Sequence, residues 1–449
     1  MSWTLLDSLG TLLTDVLSVP PTSGTLPLNI YTLVAYVLPA CLSYYVVAVL
    51  VILPGTRMLR VALWPIIVFL AFRVVMFIDF SCGNPQRSYL NFGFTIAMFC
   101  IVFRTLEWAF LRDPLRRPAR HSPSVLTDAL DLATNVRGVG WNWSKGLRFS
   151  HDTRPTSRSR FAIYVFLSAL FHGFICGLLH TAIQAFALEA ITNLRWDTIF
   201  DDTLPPLIRY TRSSIISILT AFVLFANLQM NYDIATFIGV TVIQQNPAQW
   251  PPMFDEPWKA TSLHDFWSHR WHQLARRSFI VLGGWPLGFR FGRVGYVVGS
   301  FLASGILHGV VAAMLKQSVE WWTMLFSFGM MAVGVVVEHV FTQTTGRRVG
   351  GWIGRVWTMA WLLVWGNLIV DGFARAGLFV SSSIFGTAAP AERIVEHYVT
   401  GLDRWAVVVQ CSPALDHLLF ASYARKVGSR PVAVRYVAQR AALNGGIHC

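Results

Sequence analysis

Long apolar segments dominate this sequence and limit the folds that are open to it. A helix needs about 20 mostly apolar residues to cross the hydrocarbon core of a bilayer. Eight segments meet that length, at 30–53, 61–80, 91–111, 161–188, 213–243, 294–315, 319–341 and 353–380. Because backbone polar groups in lipid must be satisfied within the segment, such stretches form helices. The sequence therefore predicts an all-α, polytopic membrane protein with about eight spans.

The composition agrees with a membrane protein. Charged residues make up 13% of the 449 residues, whereas a soluble domain carries roughly 25%. The formal net charge of +13 would suit a nucleic-acid ligand, but basic residues of multi-pass proteins collect in cytosolic loops. We therefore expect the lipid bilayer, and no nucleic acid, as a partner. Nothing in the sequence indicates the oligomeric state.

The distribution of Lys and Arg predicts the orientation. With the N-terminus on the non-cytosolic side, the loops 54–60, 112–160, 244–293 and 342–352 are cytosolic and hold 20 Lys and Arg residues, against 5 on the opposite side. This asymmetry is the positive-inside signal. We expect an integral protein of the endoplasmic reticulum whose loop 244–293 faces the cytosol.

A single helical domain is predicted over 30–380. The segment 1–29 precedes it and holds Asp7, Asp15 and no basic residue, which is the wrong order of charge and apolarity for a cleaved signal peptide. The tail 381–449 has no assigned role. The stretch 278–290 is too short and too rich in glycine to cross a bilayer alone, so we expect it to be re-entrant or interfacial.

The first candidate for chemistry is a loop motif at 258–272, WKATSLHDFWSHRWH. It holds three histidines and three tryptophans with Asp265 and Arg270. Its apolar residues, together with Leu274, fall near helical spacing, which predicts an amphipathic helix at the membrane surface. An interfacial anchor is the simpler interpretation, but an anchor has no need of three histidines.

The second candidate is His308, in the run Ser304-Gly-Ile-Leu-His308-Gly. It lies 14 residues past the predicted cytosolic start of its span. An ionisable group at that depth is costly and marks a functional site by default. Gly295, Gly299 and Ala303 repeat every four residues, which predicts close approach of a neighbouring helix. The alternative is a histidine that only forms a hydrogen bond between helices.

Other polar residues within the spans are weaker candidates. Asn227 and Asn231 lie four residues apart on one helical face, as do Asn367 and Asp371. We expect most such groups to tie helices together by hydrogen bonds and a few to line a tunnel. The remaining members of this group are Arg73, Arg104, Glu107, His172, His180, Glu338 and His339.

The motif loop resembles the signature of the wax-synthase branch of the membrane-bound O-acyltransferases. The preceding Trp250-Pro-Pro-Met-Phe254 and the following Ser304-Gly-Ile-Leu-His308 fit the same pattern, over a core of about 240–345. A second phrase, Arg137-Gly-Val-Gly-Trp-Asn-Trp143, is similar to fungal members. This branch includes long-chain-alcohol acyltransferases and fungal enzymes that acetylate hydroxyls of terpenoid metabolites.

The resemblance implies transfer of an acyl group from acyl-CoA to an alcohol. His308 matches the family's intramembrane base, and His272 stands where a second polar residue, often Asn, is found. Histidine suits the task because a hydroxyl needs a positioned base at neutral pH. No metal and no resident cofactor are expected. The predicted substrate- and CoA-binding residues are Trp267, Arg270, Trp271, Lys259, Asp265, Asn227 and Asn231.

Three other functions compete with acetyl transfer onto a terpenoid-like hydroxyl. A wax synthase would use long-chain acyl-CoA and a long-chain alcohol. A di-iron hydroxylase or desaturase is suggested by His264, His269 and His272, but the chain's 12 histidines include no His-His pair. A transporter would explain the spans, but no symmetry between two halves is evident, and the motif loop would have no role.

Overall fold

The computed structural model describes residues 24–117, 124–144, 152–186, 198–315 and 321–381. Within these ranges the protein is almost entirely helical. Its two strands form one short parallel pair, in which Leu26 lies opposite Ile78 and Pro27 opposite Asp79. The tail beyond Ser381 and the first 23 residues lie outside the described residues.

Ten long helices form the described part of the chain. Eight of them are α1 (Ile30–Ile52), α2 (Arg57–Phe77), α3 (Ser88–Phe110), α4 (Val125–Thr134), α5 (Arg158–Ala185), α6 (Pro206–Thr241), α9 (Trp321–Thr345) and α10 (Gly351–Arg375). The segment 276–314 contains the other two, α7 (276–291) and α8 (293–314). Eight helical segments within the described ranges are long and apolar enough to cross a bilayer, which confirms the predicted all-α membrane class.

Gly292 separates α7 from α8. Its φ of 61° and ψ of −146° lie outside the helical region, and glycine adopts such a conformation without strain. The two helices then pack antiparallel, so closely that a Cβ on Gly283 would lie 2.0 Å from the Gly299 carbonyl oxygen. The stretch 278–290 therefore folds back along α8, and its re-entrant or interfacial position in the bilayer stays a prediction.

The helices α1 to α4 share one apolar core. Trp108 of α3 is completely buried there and stacks on Tyr44 of α1, with ring centroids 5.4 Å apart. Arg104, one turn earlier on α3, donates to the Leu132, Ala133 and Asn135 carbonyl groups where α4 ends. The charge of Arg104 therefore neutralises a helix C-terminus, which is the tying role expected for most polar residues inside the spans.

Two spans begin earlier in the chain than the apolar segments that predict them. The structure begins α6 at Pro206, seven residues before the predicted start, and begins α5 at Arg158 instead of 161. Proline is well suited to the first turn of a helix, because its missing N–H has no partner there. Hydropathy marks only the apolar part of a helix, and the polar first turns of α5 and α6 continue the same backbone conformation.

Candidate active site

The segment 250–275 carries the predicted motif and is held in place from several sides. The guanidinium of Arg137 donates to the carbonyl groups of Pro251 and Pro252 and to the hydroxyl of Tyr232 on α6. Arg277, just after the segment, bonds Glu107 of α3 through Nε at 2.6 Å. Arg137, the first residue of the RGVGWNW sequence, thus holds the start of the motif segment in place.

Gly138 explains the glycine of that phrase. Its φ is +64°, and a Cβ built on it would lie 2.0 Å from the Trp143 ring. Trp143 in turn donates through Nε1 to the Glu107 carboxylate at 2.9 Å. A side chain at position 138 would therefore displace the tryptophan that reaches α3.

The expected amphipathic helix over the motif is wrong in its extent. A single helical turn at Leu263–Asp265 runs into a π-helical turn at Phe266–Arg270, and the backbone is extended at Trp271, where the turn ends. Trp271 nevertheless stacks on Phe266, with ring centroids 5.5 Å apart and planes 18° apart. The aromatic residues cluster through this bend, which a period of 3.6 residues does not describe.

Glu338 of α9 holds the motif segment to the membrane helices. Its buried carboxylate accepts the backbone N–H of Leu263 at 2.6 Å and that of His264 at 2.9 Å. Trp357 of α10 donates its indole N–H to the same group at 3.0 Å. Because these bonds involve a charged acceptor, they are stronger than bonds between neutral groups.

Two glycines allow this close approach. A Cβ on Gly354 of α10 would lie 2.2 Å from the Thr261 carbonyl oxygen, and a Cβ on Gly334 of α9 would lie 2.4 Å from Leu263 Cδ1. The helices α9 and α10 therefore fit closely against the motif segment, at the Thr261 backbone and at the Leu263 side chain.

The charged candidates of the motif bond one another. Arg270 donates through Nε to Asp265 at 2.5 Å and through a terminal nitrogen to the Asp255 carbonyl at 3.1 Å. Lys259 pairs with Glu256 at 2.7 Å, and both side chains are about half exposed. In this arrangement Arg270 and Asp265 fix the shape of the loop, while Lys259 remains at the surface.

His308 is half-buried on α8 and faces aromatic rings. Its imidazole stacks on Phe328 of α9 with ring centroids 4.6 Å apart, and Phe373 of α10 lies at 6.3 Å. Nδ1 lies 2.8 Å from the Ser304 carbonyl oxygen. A carbonyl only accepts, so Nδ1 carries the hydrogen and the neutral ring presents Nε2 as an acceptor.

His272 and Trp267 bring unsatisfied polar atoms to this region. His272 Nδ1 and Trp267 Nε1 are both buried without a hydrogen-bond partner among the described residues. Trp267 contacts Phe301 and Phe328, and the latter is the ring on which His308 stacks. Buried polar groups normally have partners, so both atoms are free to form a hydrogen bond with a bound molecule.

The His272 ring is neutral at physiological pH. Burial lowers the pKa of His272 to about 4, and the nearby His308 adds to this effect. The structure thus brings the two predicted catalytic histidines close together, although they are 36 positions apart in the sequence.

Trp271 lies beside His272, with ring centroids 5.5 Å apart, whereas the predicted asparagines and the other motif histidines contact one another. Asn231 of α6 is exposed and donates to the Asn227 side chain at 3.0 Å. His264 and His269 face one another, with ring centroids 5.8 Å apart. Within the described ranges, no three His, Cys, Asp or Glu side chains form a group that could hold a metal ion.

Sequence reasoning missed three contributions to this site. Arg137 and Glu338 reach backbone groups more than 70 positions away, and no sequence pattern marks a backbone partner. The orphaned indole N–H of Trp267 was also not predicted, although Trp267 itself was a candidate. The available signal was a tryptophan inside a segment rich in histidine, because a buried indole N–H normally finds a partner.

Comparisons with known proteins support an O-acyltransferase. Residues 250–329 match the model of the membrane bound O-acyl transferase family. Acetyltransferase ple2 of Rhodocybe pseudopiperita is 26% identical over 361 residues, which are 72% of this chain and 89% of the relative. Acetyltransferase sirH of Emericella nidulans is 24% identical over 289 residues, or 60% of this chain and 65% of the relative.

A plant relative matches a shorter region. A probable long-chain-alcohol O-fatty-acyltransferase 9 of Arabidopsis thaliana is 30% identical over 146 residues, covering 28% of this chain and 41% of the relative.

The helical membrane fold and the motif segment against α8 to α10 define a membrane-embedded O-acyltransferase. Within this chain, residues 250–329 match the membrane bound O-acyl transferase family, and the chain is similar to fungal acetyltransferases and to a probable long-chain-alcohol acyltransferase.

Proposed function

We propose that the protein transfers an acyl group, acetyl by preference, from acyl-CoA to a hydroxyl of a lipophilic, terpenoid-like alcohol, with His308 as the general base. One observation carries this proposal. The Ser304 carbonyl fixes the Nδ1–H tautomer of His308, so that Nε2 holds a lone pair within the membrane domain. A neutral, oriented imidazole is the group that a weakly acidic hydroxyl needs.

The reaction then follows from this tautomer. Nε2 of His308 accepts the hydroxyl proton as the alcohol oxygen attacks the thioester carbon. The tetrahedral intermediate collapses as the carbon–sulfur bond breaks, and the CoA thiolate takes the proton back from Nε2. An ester and free CoA leave, and His308 returns to its starting state. The steps balance without a covalent acyl-enzyme and without a further reactant.

The oxyanion that forms at the thioester carbon needs hydrogen-bond donors. Trp267 Nε1 is buried and has no hydrogen-bond partner in the part of the chain that the structure describes, and its ring touches the Phe328 ring beneath His308. A donor that is already oriented and already desolvated stabilises developing charge without reorganisation. We therefore assign the oxyanion contact to Trp267, and to His272 where its Nδ1 carries hydrogen.

The preference for acetyl rests on the relatives. Two relatives named acetyltransferases align over 361 and 289 residues, whereas the plant fatty-acyltransferase aligns over 146. A wax synthase that uses long-chain acyl-CoA and a long-chain alcohol is the alternative. The excess of basic residues on one side supports an orientation in which acyl-CoA reaches the motif segment from the cytosolic side of the endoplasmic reticulum membrane.

An assay of membranes that contain the protein decides between acetyl-CoA and long-chain acyl-CoA as the donor. We expect labelled acetyl-CoA to give esters with lipophilic terpenoid alcohols, at a rate well above that with long-chain acyl-CoA. Faster transfer from long-chain acyl-CoA to fatty alcohols would favour the wax-synthase alternative. Absence of transfer from any acyl-CoA to any alcohol on a broad panel would contradict the proposed function.

A further inference from the structure

A second polar cluster lies inside the spans, between α5 and α6. Asp233 of α6 is 2% exposed. One of its oxygens accepts the Ser168 hydroxyl at 2.6 Å and the other accepts Gln229 Nε2 at 2.8 Å. His172, one turn after Ser168 on α5, places Nδ1 3.6 Å from the same carboxylate. The mechanism described above uses none of these groups.

The cluster fixes the tautomer of His172 as firmly as Ser304 fixes that of His308. Nδ1 of His172 lies 2.8 Å from the Ser168 carbonyl oxygen, which accepts and cannot donate. The Asp233 carboxylate nearby also favours a hydrogen on Nδ1. Nε2 is consequently an acceptor, and it forms no hydrogen bond with any residue that the structure describes.

A purely structural role leaves this Nε2 unexplained. His180, two turns further along α5, is the structural counterpart, because its Nε2 bonds the Ser381 carbonyl at 2.8 Å and its side chain is buried. The His172 side chain is 18% exposed. An imidazole nitrogen that is exposed in the middle of a span faces either lipid, which costs considerable free energy, or a polar group of a ligand.

Aromatic rings connect His172 with the candidate active site. The His172 ring lies 5.8 Å from that of Phe225, Phe225 lies 4.6 Å from Phe254, and Phe254 lies 5.9 Å from His272, all between ring centroids. These rings form a continuous line of aromatic contacts between two polar positions. A rigid lipophilic molecule with hydroxyls at both ends matches that arrangement, because its skeleton would lie along this line of rings.

We propose that His172 binds a second hydroxyl of the acceptor, through Nε2, while the reacting hydroxyl is at His308, with Asp233 as the residue that positions His172. This assignment rests on the proposed function. It makes the preferred acceptor a lipophilic diol and makes His172 a determinant of acceptor choice. His172 takes no part in the bond changes, so a mono-alcohol remains a substrate.

Two matched acceptors test the assignment. The wild-type enzyme is given a rigid lipophilic diol and the mono-alcohol of the same skeleton, and KM and kcat are measured for each. One hydrogen bond contributes roughly tenfold in affinity, so we expect the diol to have a KM about tenfold lower. His172→Asn keeps a donor near Nδ1 but has no group at the Nε2 position, so the two KM values become equal.

Further variants separate recognition from folding. His172→Gln places an amide near the Nε2 position and retains the preference for the diol. Asp233→Asn reduces that preference without changing the KM for acyl-CoA, and His180→Gln leaves the preference unchanged. A wild-type enzyme that does not distinguish the two acceptors, or a His172→Asn enzyme that still does, overturns the assignment. Failure to acylate any alcohol instead contradicts the proposed function.

Discussion

The Glu338 carboxylate accepts the backbone N–H of Leu263 at 2.6 Å, which joins α9 to the motif segment across 75 positions of the sequence. The same carboxylate accepts the N–H of His264. This contact fixes where the helical turn at 263–270 begins, and hence where Trp267 and His272 lie relative to α8. The membrane helices therefore determine the geometry of the loop at its start.

Removal of this carboxylate should loosen the loop. We expect Glu338→Ala to lower kcat roughly tenfold or more and to lower Tm, because bonds to a charged acceptor contribute about 1.5–3 kcal/mol each. Activity and thermal unfolding in detergent measure the two effects. Asp202→Asn, a change at an exposed carboxylate, should alter neither. Full activity in Glu338→Ala would show that the loop keeps its position without the hydrogen bonds to Glu338.

Two glycines of α10 provide a matched steric test. Gly354→Ala would place a Cβ 2.2 Å from the Thr261 carbonyl oxygen, whereas a Cβ on Gly366 meets no atom within 4 Å. We expect Gly354→Ala to reduce acyl transfer strongly. Gly366→Ala should retain it and stabilise the helix by up to about 1 kcal/mol. Equal behaviour of the two variants in the same assay would contradict the close approach of loop and helix.

The assignment of the oxyanion contact predicts an effect on kcat alone. Trp267→Phe keeps an aromatic ring against Phe301 and Phe328 but removes the indole N–H. The loss of one oxyanion donor typically costs about 10²–10³ in kcat, while KM for acyl-CoA should remain near its original value. Steady-state kinetics with both substrates varied would check this. An unchanged kcat would mean that Trp267 only packs.

The depressed pKa of His272 predicts a stability that depends on pH. Burial holds this pKa at about 4 in the folded protein, against about 6.5 in the unfolded chain. The unfolded state therefore binds the proton more readily, and the free energy of unfolding falls as the pH is lowered from about 6.5 towards 4.

His272→Gln removes this titration and should flatten the decline. Unfolding in detergent at several pH values provides the measurement, with His269→Gln, a change in a more exposed ring, as the comparison. A decline that is equally steep in His272→Gln and in the wild type would rule out His272 as its source.

The sequence predicts the spans and the location of the chemistry because both depend on local composition. A run of about twenty apolar residues forms a helix in lipid, and a histidine such as His308 stands out within that run. The shape of the motif segment was not predictable in the same way. Its turn ends at Arg270 because the backbone is bonded to Glu338 at one end and to Asp255 at the other. Spacing within the segment carries no information about these distant partners.

Substitution of His308 is the most direct test of the account. Membranes that contain His308→Ala, His308→Gln or His339→Gln at equal protein levels are assayed with labelled acetyl-CoA and the best acceptor of the wild type. Loss of the base should reduce turnover by about 10²–10⁴-fold in both His308 variants, and His339→Gln should remain active. Acyl transfer by His308→Ala at a rate near that of the wild type would contradict the central claim.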